Sequence, residues 1–260
     1  MPSDESVFSA AVGILYVTCP LIFLYLQFCT VPYGRHARPG WGPPLPPAAA
    51  WFLIESPTIW LTLLLLPHGR HLSHPLALAI ISPFLLHYLN RTVVYPIRLL
   101  RSGTKAGFPL SVAAVGFCFN LLNAYAQTRS VTHYAHYPPA GDVGWWIWAR
   151  VAAGLAVFLW GMAVNVSSDL ALLRLKNTAG GGYKVPEGGW FELVACPNYM
   201  GEAAEWLGWA VAASTPAALA FFLYTCANLF PRASSHRRWY LQNFGHRYPP
   251  SRKSIIPFVF

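Results

Sequence analysis

The chain has 260 residues, of which 55% are hydrophobic and 10% are charged, and its formal net charge is +9. Soluble domains carry about 25% charged residues, so this composition excludes an ordinary water-soluble fold and indicates a membrane protein. No nucleic-acid-binding motif accompanies the positive charge. We therefore expect membrane lipids or a cytosolic ligand with several phosphates as partners, and no nucleic acid.

Seven apolar segments are predicted to be membrane-crossing helices. A crossing needs about 20 apolar residues to span a hydrocarbon core about 30 Å thick. The first segment follows an acidic start and no cleavage pattern, so we expect a retained helix instead of a signal peptide. The predicted fold is an all-α, polytopic helical bundle with spans at 7–31, 48–66, 75–97, 108–127, 144–170, 198–214 and 216–230.

Charge placement predicts the orientation of this bundle. With the N-terminus outside, most of the 18 Lys+Arg fall in cytosolic segments, as the positive-inside rule requires. The C-terminus is then cytosolic. The last two spans are short and joined by Thr215-Pro216, so they form either two crossings or a re-entrant pair. The five cysteines are scattered without a CxxC pair, and we expect neither a disulfide framework nor a metal site.

Four carboxylates lie in or beside the apolar segments: Glu55, Asp169, Glu202 and Glu205. Ionisable groups at membrane depth are costly, so each is a candidate functional residue. The chain contains only nine Asp+Glu in total. This concentration of scarce acids in apolar segments predicts a buried reaction site.

The first half of the chain offers two candidate groups for carbonyl chemistry. Glu55 lies about one turn after Trp51 in the second span, where it is either an interface residue or a proton-handling group in a cavity. Tyr88 has a phenol that can donate a hydrogen bond to an oxygen that gains negative charge. A carboxyl group could hold this phenol in place. Tyr88 is also one of thirteen tyrosines, so a purely structural role is the alternative.

The end of the fifth span is polar and leads into a glycine-rich segment. Asn165 and Asp169 share a helix face at i,i+4, either as site residues or as a helix end at the interface. The following segment, 179–189, combines glycines with Tyr183 and Lys184 and follows Lys176. Glycine amides and basic side chains can bind phosphate, although no Walker or Rossmann fingerprint occurs.

The sixth span opens with a polar stripe. Asn198, Glu202 and Glu205 recur at i, i+4 and i+7 and therefore lie on one helix face. When buried, they need donors such as ribose hydroxyls or a carboxamide, or a structural pairing with Arg91 or Arg232. The basic tail from Arg232 to Lys253 could bind anionic lipid or cofactor phosphate.

Several motifs in order along the chain resemble the steroid 5α-reductase family. They are YGRHA, AAWFLIESP, HYLNRTVVYP, NVSSD, GGYKVPEGGWFELVACPNYMGEAAEWLGWA and RWYLQNF with YPPSRKSIIPFVF. The resemblance implies NADPH-dependent reduction of the Δ4 double bond of 3-oxo-steroids. It further implies one membrane-embedded domain over 1–260, with the substrate cavity mainly from 1–130 and the NADPH site mainly from 160–260. The expected protein is a monomer of a bacterial inner membrane or the endoplasmic reticulum, and its lipid substrate enters from the bilayer.

The resemblance also implies residue roles. Glu55 and Tyr88 match the pair that holds the steroid 3-oxo group, and Trp51 matches an aromatic residue of the same cavity. Lys176 occupies a position where arginine is common, and Ile54 one where glutamine often precedes the glutamate. The positions that match NADPH-binding residues are Asn165, Asp169, Lys176, Tyr183, Asn198, Glu202, Arg232, His236 and Tyr240.

Three alternative functions follow from the same residues. A reductase of another activated alkene, such as a polyprenal or an enoyl thioester, would share the hydride chemistry. A membrane methyltransferase that uses S-adenosylmethionine could share a similar bundle. A non-catalytic sterol binder or transporter would need the cavity but not Glu55.

Overall fold

The computed structural model describes residues 3–103, 107–178 and 182–260, with the side chains of 177 and 178 left aside. Lys105, Gly180 and Gly181, which entered the charge and phosphate arguments, lie outside these ranges. The described chain confirms the all-α prediction, with a two-residue antiparallel ribbon (β1 Pro44–Leu45, β2 Phe108–Pro109) as the one sheet within it. The helices are α1 Asp4–Phe28, α2 Pro47–Leu65, α3 Pro75–Leu89, α4 Tyr95–Arg101, α5 Leu110–Arg129, α6 Trp145–Thr178, α7 Pro197–Ala213 and α8 Pro216–Phe244.

Two of the helices continue through π-helical turns. Asn90–Val94 joins α3 to α4, and Ser130–Tyr134 extends α5. The first π turn is followed directly by α4, whose second residue is Pro96. A proline has no backbone N–H and therefore cannot donate a helical hydrogen bond. Such π turns often occur at functional sites because they change the direction of side chains. The first of them carries Arg91, which is buried.

Among the described residues, five helical segments are long and apolar enough to cross a membrane: Asp4–Phe28, Pro47–His68, Pro75–Arg101, Leu110–Tyr134 and Trp145–Lys176. The protein is thus a multi-pass membrane protein by length and composition. α7 has 17 residues, and a turn with Ser214 at φ 52° joins it to α8. Thr215 in this turn accepts a hydrogen bond from Ser130 at 3.0 Å, near the end of α5. α7 therefore reaches the same end of the bundle as α5, which favours two crossings over a re-entrant pair.

The start of α1 is fixed at that same end by an acidic group. The carboxylate of Asp4 pairs with Arg129 and accepts hydrogen bonds from Tyr134 at 2.5 Å and from Tyr125 at 2.9 Å. The opposite end of the bundle is the basic end, where the first loop (Gly34–His36) meets the second half of α8. The two ends therefore differ in charge, and the orientation of the bundle in the membrane stays a prediction.

Helices α6 and α7 make the closest packing of the bundle through four glycines. Gly154 faces Gly208, and Gly161 faces Gly201. A Cβ atom added to Gly201 would lie 2.5 Å from the backbone nitrogen of Asn165 and 2.6 Å from the carbonyl oxygen of Gly161. Small residues of this kind let helix backbones approach closely in membranes. The contact fixes the positions of Asp169 on α6 and of the polar stripe on α7.

Gly201→Ala is expected to destabilise the protein strongly, because the added methyl group meets backbone atoms that have no room to move. Overpacking typically costs about 1–3 kcal/mol, and backbone contact places this case at the upper end. Thermal unfolding in detergent measures the effect. Gly13→Ala is the matched control, since its Cβ would meet nothing within 4 Å. Equal unfolding temperatures for both variants would contradict the packing argument.

Candidate active site

A cavity of about 530 Å³ opens inside the bundle, within the range of about 300–1,000 Å³ that is usual for small-molecule sites. Residues from every long helix and from the first loop line this cavity. Asn165, to which the resemblance assigns a cofactor role, lies outside the wall: its amide donates to the backbone oxygen of Asn198 at 2.9 Å and so supports α7. The predicted residues that line the cavity are Trp51, Glu55, Tyr88, Asp169, Lys176, Tyr183, Asn198, Glu202, Arg232, His236 and Tyr240.

Glu55 and Tyr88 are held by two asparagines of α5. Asn120 donates to the Glu55 carboxylate at 3.0 Å, and Asn123 donates to the Tyr88 hydroxyl at 3.4 Å. No direct hydrogen bond joins Glu55 to Tyr88 within the described ranges, in contrast to the expected pairing. Because the phenol oxygen accepts from Asn123, its own O–H remains available to a ligand in the cavity.

Arg91 lies between the two predicted halves of the site. Its Nη1 is 3.3 Å from Asp169, its Nε is 3.7 Å from Glu55, and both carboxylates line the cavity. The guanidinium group stacks on the rings of Trp51 and Tyr95, at 4.4 and 5.1 Å from their centroids. A buried cation with two acids is stable only while every partner stays in place. Arg91 thus links the residues predicted for the steroid to those predicted for the cofactor.

The polar stripe of α7 divides between two environments. Asn198 donates to Asp169 at 3.0 Å, and Glu202 faces the cavity without a hydrogen-bond partner in the part of the chain that is described. Glu205 is fully buried behind the wall and lies 2.6 Å from His87 Nδ1. Asn198 and Glu202 of the stripe therefore line the cavity, whereas Glu205 belongs to a separate buried pair with His87. The structural pairing of these acids with Arg91 or Arg232, considered from the sequence, does not form within the described ranges: Glu205 pairs with His87, and Arg91 pairs with Asp169.

Aromatic rings and cations form the basic end of the cavity. The guanidinium of Arg35 lies over the rings of Tyr240, Trp239 and Tyr183, at 4.4, 5.1 and 5.5 Å from their centroids. Its buried Nη1 has no hydrogen-bond partner among residues that are described. Lys176 lines the same part of the wall. Unused donors on a stacked guanidinium suit an anionic ligand such as a phosphate.

A chain of polar contacts connects the first loop to α7 and α8. His36 Nε2 is 3.1 Å from His236 Nδ1, Tyr199 is 3.2 Å from His236 Nε2, and Arg232 donates to Tyr199 at 3.0 Å. Burial and two neighbouring arginines lower the pKa of His36 to about 4. His36 is therefore neutral at pH 7, and its contact with His236 is a hydrogen bond between neutral rings.

Sequence reasoning assigned no site role to Arg35, His87, Asn120 or Asn123, and considered Arg91 only as a structural partner. A signal was present in each case. Asn120 and Asn123 are amides three residues apart in an apolar helix, and His87 precedes a candidate residue directly. Polar groups at such depth indicate function as carboxylates do. Arg35 stands within a motif quoted above for the family resemblance.

Comparisons with known proteins identify the family of the chain. Residues 106–260 match the family described as 3-oxo-5-alpha-steroid 4-dehydrogenase. The chain is 50% identical to "Steroid 5-alpha-reductase DET2" of Arabidopsis thaliana, over 99% of this chain and 98% of that protein. It is 51% identical to the protein of the same name from Gossypium hirsutum, over 100% of both chains. It is 38% identical to human "3-oxo-5-alpha-steroid 4-dehydrogenase 1", over 88% of this chain and 86% of that protein. The chain belongs to the 3-oxo-5α-steroid 4-dehydrogenase family, oxidoreductases that act on CH–CH bonds.

Proposed function

We propose that the protein reduces the Δ4 double bond of a 3-oxo-Δ4-steroid to the 5α-steroid with NADPH. One observation carries the proposal: a single cavity holds the available phenol of Tyr88 and, at its basic end, a set of cations and acids suited to a dinucleotide. The names of the similar proteins support the steroid as substrate. The steroid reaches the cavity from the bilayer, along α1, whose outer face is exposed and whose Tyr25 and Leu26 line the cavity.

The residues of the basic end fit NADPH by their chemistry. Arg35, Lys176 and Arg232 are cations of the cavity wall, and phosphates are the anions that such groups bind best. Asp169 and Glu202 are acceptors suited to ribose hydroxyls or to a carboxamide. When bound, NADPH supplies the hydride that adds to C5 of the steroid.

Tyr88 and Glu55 would hold the 3-oxo group at the other end of the cavity. Tyr88 donates its O–H to the 3-oxygen, where negative charge develops as the enolate forms. A carboxylate has no proton to donate, so Glu55 contributes a second hydrogen bond to this oxygen only when it is protonated. Asn120 fixes the carboxyl group from behind, through its 3.0 Å contact.

The decisive experiment is NADPH oxidation by the purified protein in detergent, with testosterone or progesterone and product identification by mass spectrometry. We expect a gain of two hydrogens in the wild type and a large loss of rate in Glu55→Gln, because a neutral amide replaces the carboxyl group that lies 3.7 Å from Arg91 Nε. Glu5→Gln, at the opposite end and exposed, is the matched control. NADPH binding without steroid turnover would indicate that the substrate is another activated alkene. Absence of NADPH binding would overturn the proposal.

A further inference from the structure

A buried histidine–carboxylate pair adjoins the proposed reaction site. His87 Nδ1 and Glu205 Oε2 are 2.6 Å apart, with side-chain exposures of 3% and 0%. The two residues are 118 positions apart in sequence, on α3 and α7. The imidazole packs against Trp206 and Tyr88, at ring-centroid distances of 4.6 and 5.0 Å. Its orientation is therefore fixed on three sides.

The pair has one member in the cavity wall and one behind it. His87 lines the cavity beside Tyr88, whereas Glu205 is absent from the lining. Because Nδ1 is directed at Glu205, the opposite edge of the ring, which carries Nε2, is the edge that can meet a ligand. No protein group hydrogen-bonds Nε2 within the described chain, and Nε2 is not among its fully enclosed unpartnered atoms.

The surroundings of Glu205 indicate where the protons lie. Its second oxygen, Oε1, is buried without a hydrogen-bond partner among the described residues. An ionised carboxylate with one unsolvated oxygen is costly, whereas a protonated carboxyl group leaves Oε1 as a neutral carbonyl oxygen. The favoured state shares one proton between Oε2 and Nδ1. The second proton of the pair is then on Nε2 and directed at the cavity.

We propose that His87, supplied with a proton by Glu205, is the acid that protonates C4 of the steroid enolate. The inference rests on the proposed function, since it presupposes an enolate bound through its 3-oxygen at Tyr88. His87 directly precedes Tyr88 in the chain and adjoins it in the wall, so a donor on His87 lies near the carbons next to the bound oxygen. The enolate carries its reactive electron pair on C4, two bonds from that oxygen.

The proposed step balances in protons and charge. The enolate π electrons form the new C4–H bond, the Nε2–H bond breaks, and the 3-oxygen returns to a neutral carbonyl. The proton shared with Glu205 moves fully to Nδ1. The pair ends as a Glu205 carboxylate with a neutral His87 that carries its hydrogen on Nδ1. One proton from water restores it after product leaves.

The test is hydrogen exchange at C4 of the saturated product, which requires no hydride transfer. By microscopic reversibility, the group that protonates C4 also removes that proton. The purified protein is incubated in D₂O with 5α-dihydrotestosterone and NADP⁺, and deuterium at C4 is followed by NMR and mass spectrometry. We expect one deuterium in the wild type. His87→Gln and Glu205→Gln should each slow the exchange by about 10²–10⁴-fold, the usual contribution of a general acid or base.

Two controls separate a catalytic role from a structural one. In Glu205→Gln the amide oxygen can still accept from Nδ1, so the ring stays in place while the proton supply is lost. Steroid affinity, measured by quenching of tryptophan fluorescence, should remain within about threefold of the wild type in this variant. His133→Gln changes a half-buried histidine outside the cavity wall, in the π turn that extends α5, and should exchange at the wild-type rate.

Exchange that persists in both variants, or fails in a wild type that reduces the steroid, would overturn the assignment of His87. Failure of the proposed function is a different result. In that case the wild type shows no NADPH-dependent reduction of a 3-oxo-Δ4-steroid at all. Running both assays on one preparation keeps the two outcomes apart.

Discussion

Tyr88→Phe is expected to lower kcat by about 10²–10³-fold, because it removes the donor to the developing enolate oxygen. The loss corresponds to about 3–4 kcal/mol of transition-state stabilisation. KM for the steroid should change far less, since the interaction is stronger in the transition state than in the ground state. Steady-state kinetics with NADPH in excess measure both quantities.

Tyr137→Phe is the matched control for this prediction. Tyr137 also donates a hydrogen bond, at 3.0 Å to the backbone oxygen of Val131, and it lies outside the cavity wall. Loss of this hydrogen bond should slightly reduce the free energy of unfolding and leave kcat unchanged. If Tyr88→Phe retained more than a tenth of wild-type kcat, another group would have to polarise the carbonyl.

Arg91→Met is expected to have the largest effect on stability. It leaves Glu55 and Asp169 without their shared cation, and removal of one partner from a buried ion pair costs about 3–5 kcal/mol. Binding of both NADPH and steroid should weaken, because Arg91 contacts one acid proposed to hold the steroid and one proposed to hold the cofactor. Thermal unfolding and equilibrium binding of each ligand measure the two effects.

Two further variants define what Arg91 contributes. Arg91→Lys keeps the charge but loses the planar group that stacks on Trp51, so we expect an intermediate stability. Arg70→Met removes an exposed arginine at the opposite end of the bundle and should unfold like the wild type. Loss of steroid binding alone in Arg91→Met, with NADPH binding intact, would contradict the linking role.

The positions of the helices could be predicted because long apolar runs leave few other structures in a bilayer. The ends of the helices were less predictable. α6 continues to Thr178 and α8 to Phe244, beyond the predicted limits of 170 and 230. Hydropathy marks where a helix leaves the apolar layer, and these helices continue past that point with polar residues. The π turn at Asn90–Val94 had no signal in the apolar pattern.

Part of the cavity lining could be predicted from the sequence, but the pairing of its residues could not. Scarce acids in apolar segments identified Glu55, Asp169 and Glu202, and each lines the cavity. Glu205 belongs to the same helical stripe, yet its partner His87 lies on another helix. Local sequence does not encode which of several buried cations or imidazoles an acid meets. That choice depends on how the helices rotate and pack against one another.

Because of the glycine contact between α6 and α7, two parts of the cavity wall differ in how readily they tolerate amino-acid substitutions. Asp169, Asn198 and Glu202 stand on two helices locked backbone to backbone, so one side chain is hard to move without its neighbours. The other walls, on α1, α2 and α5, meet through ordinary side chains and face lipid on their outer sides. Substitutions in those walls could reshape the space for the steroid while the proposed nucleotide contacts stay unchanged. One scaffold could in this way serve relatives with different substrates and one common source of electrons.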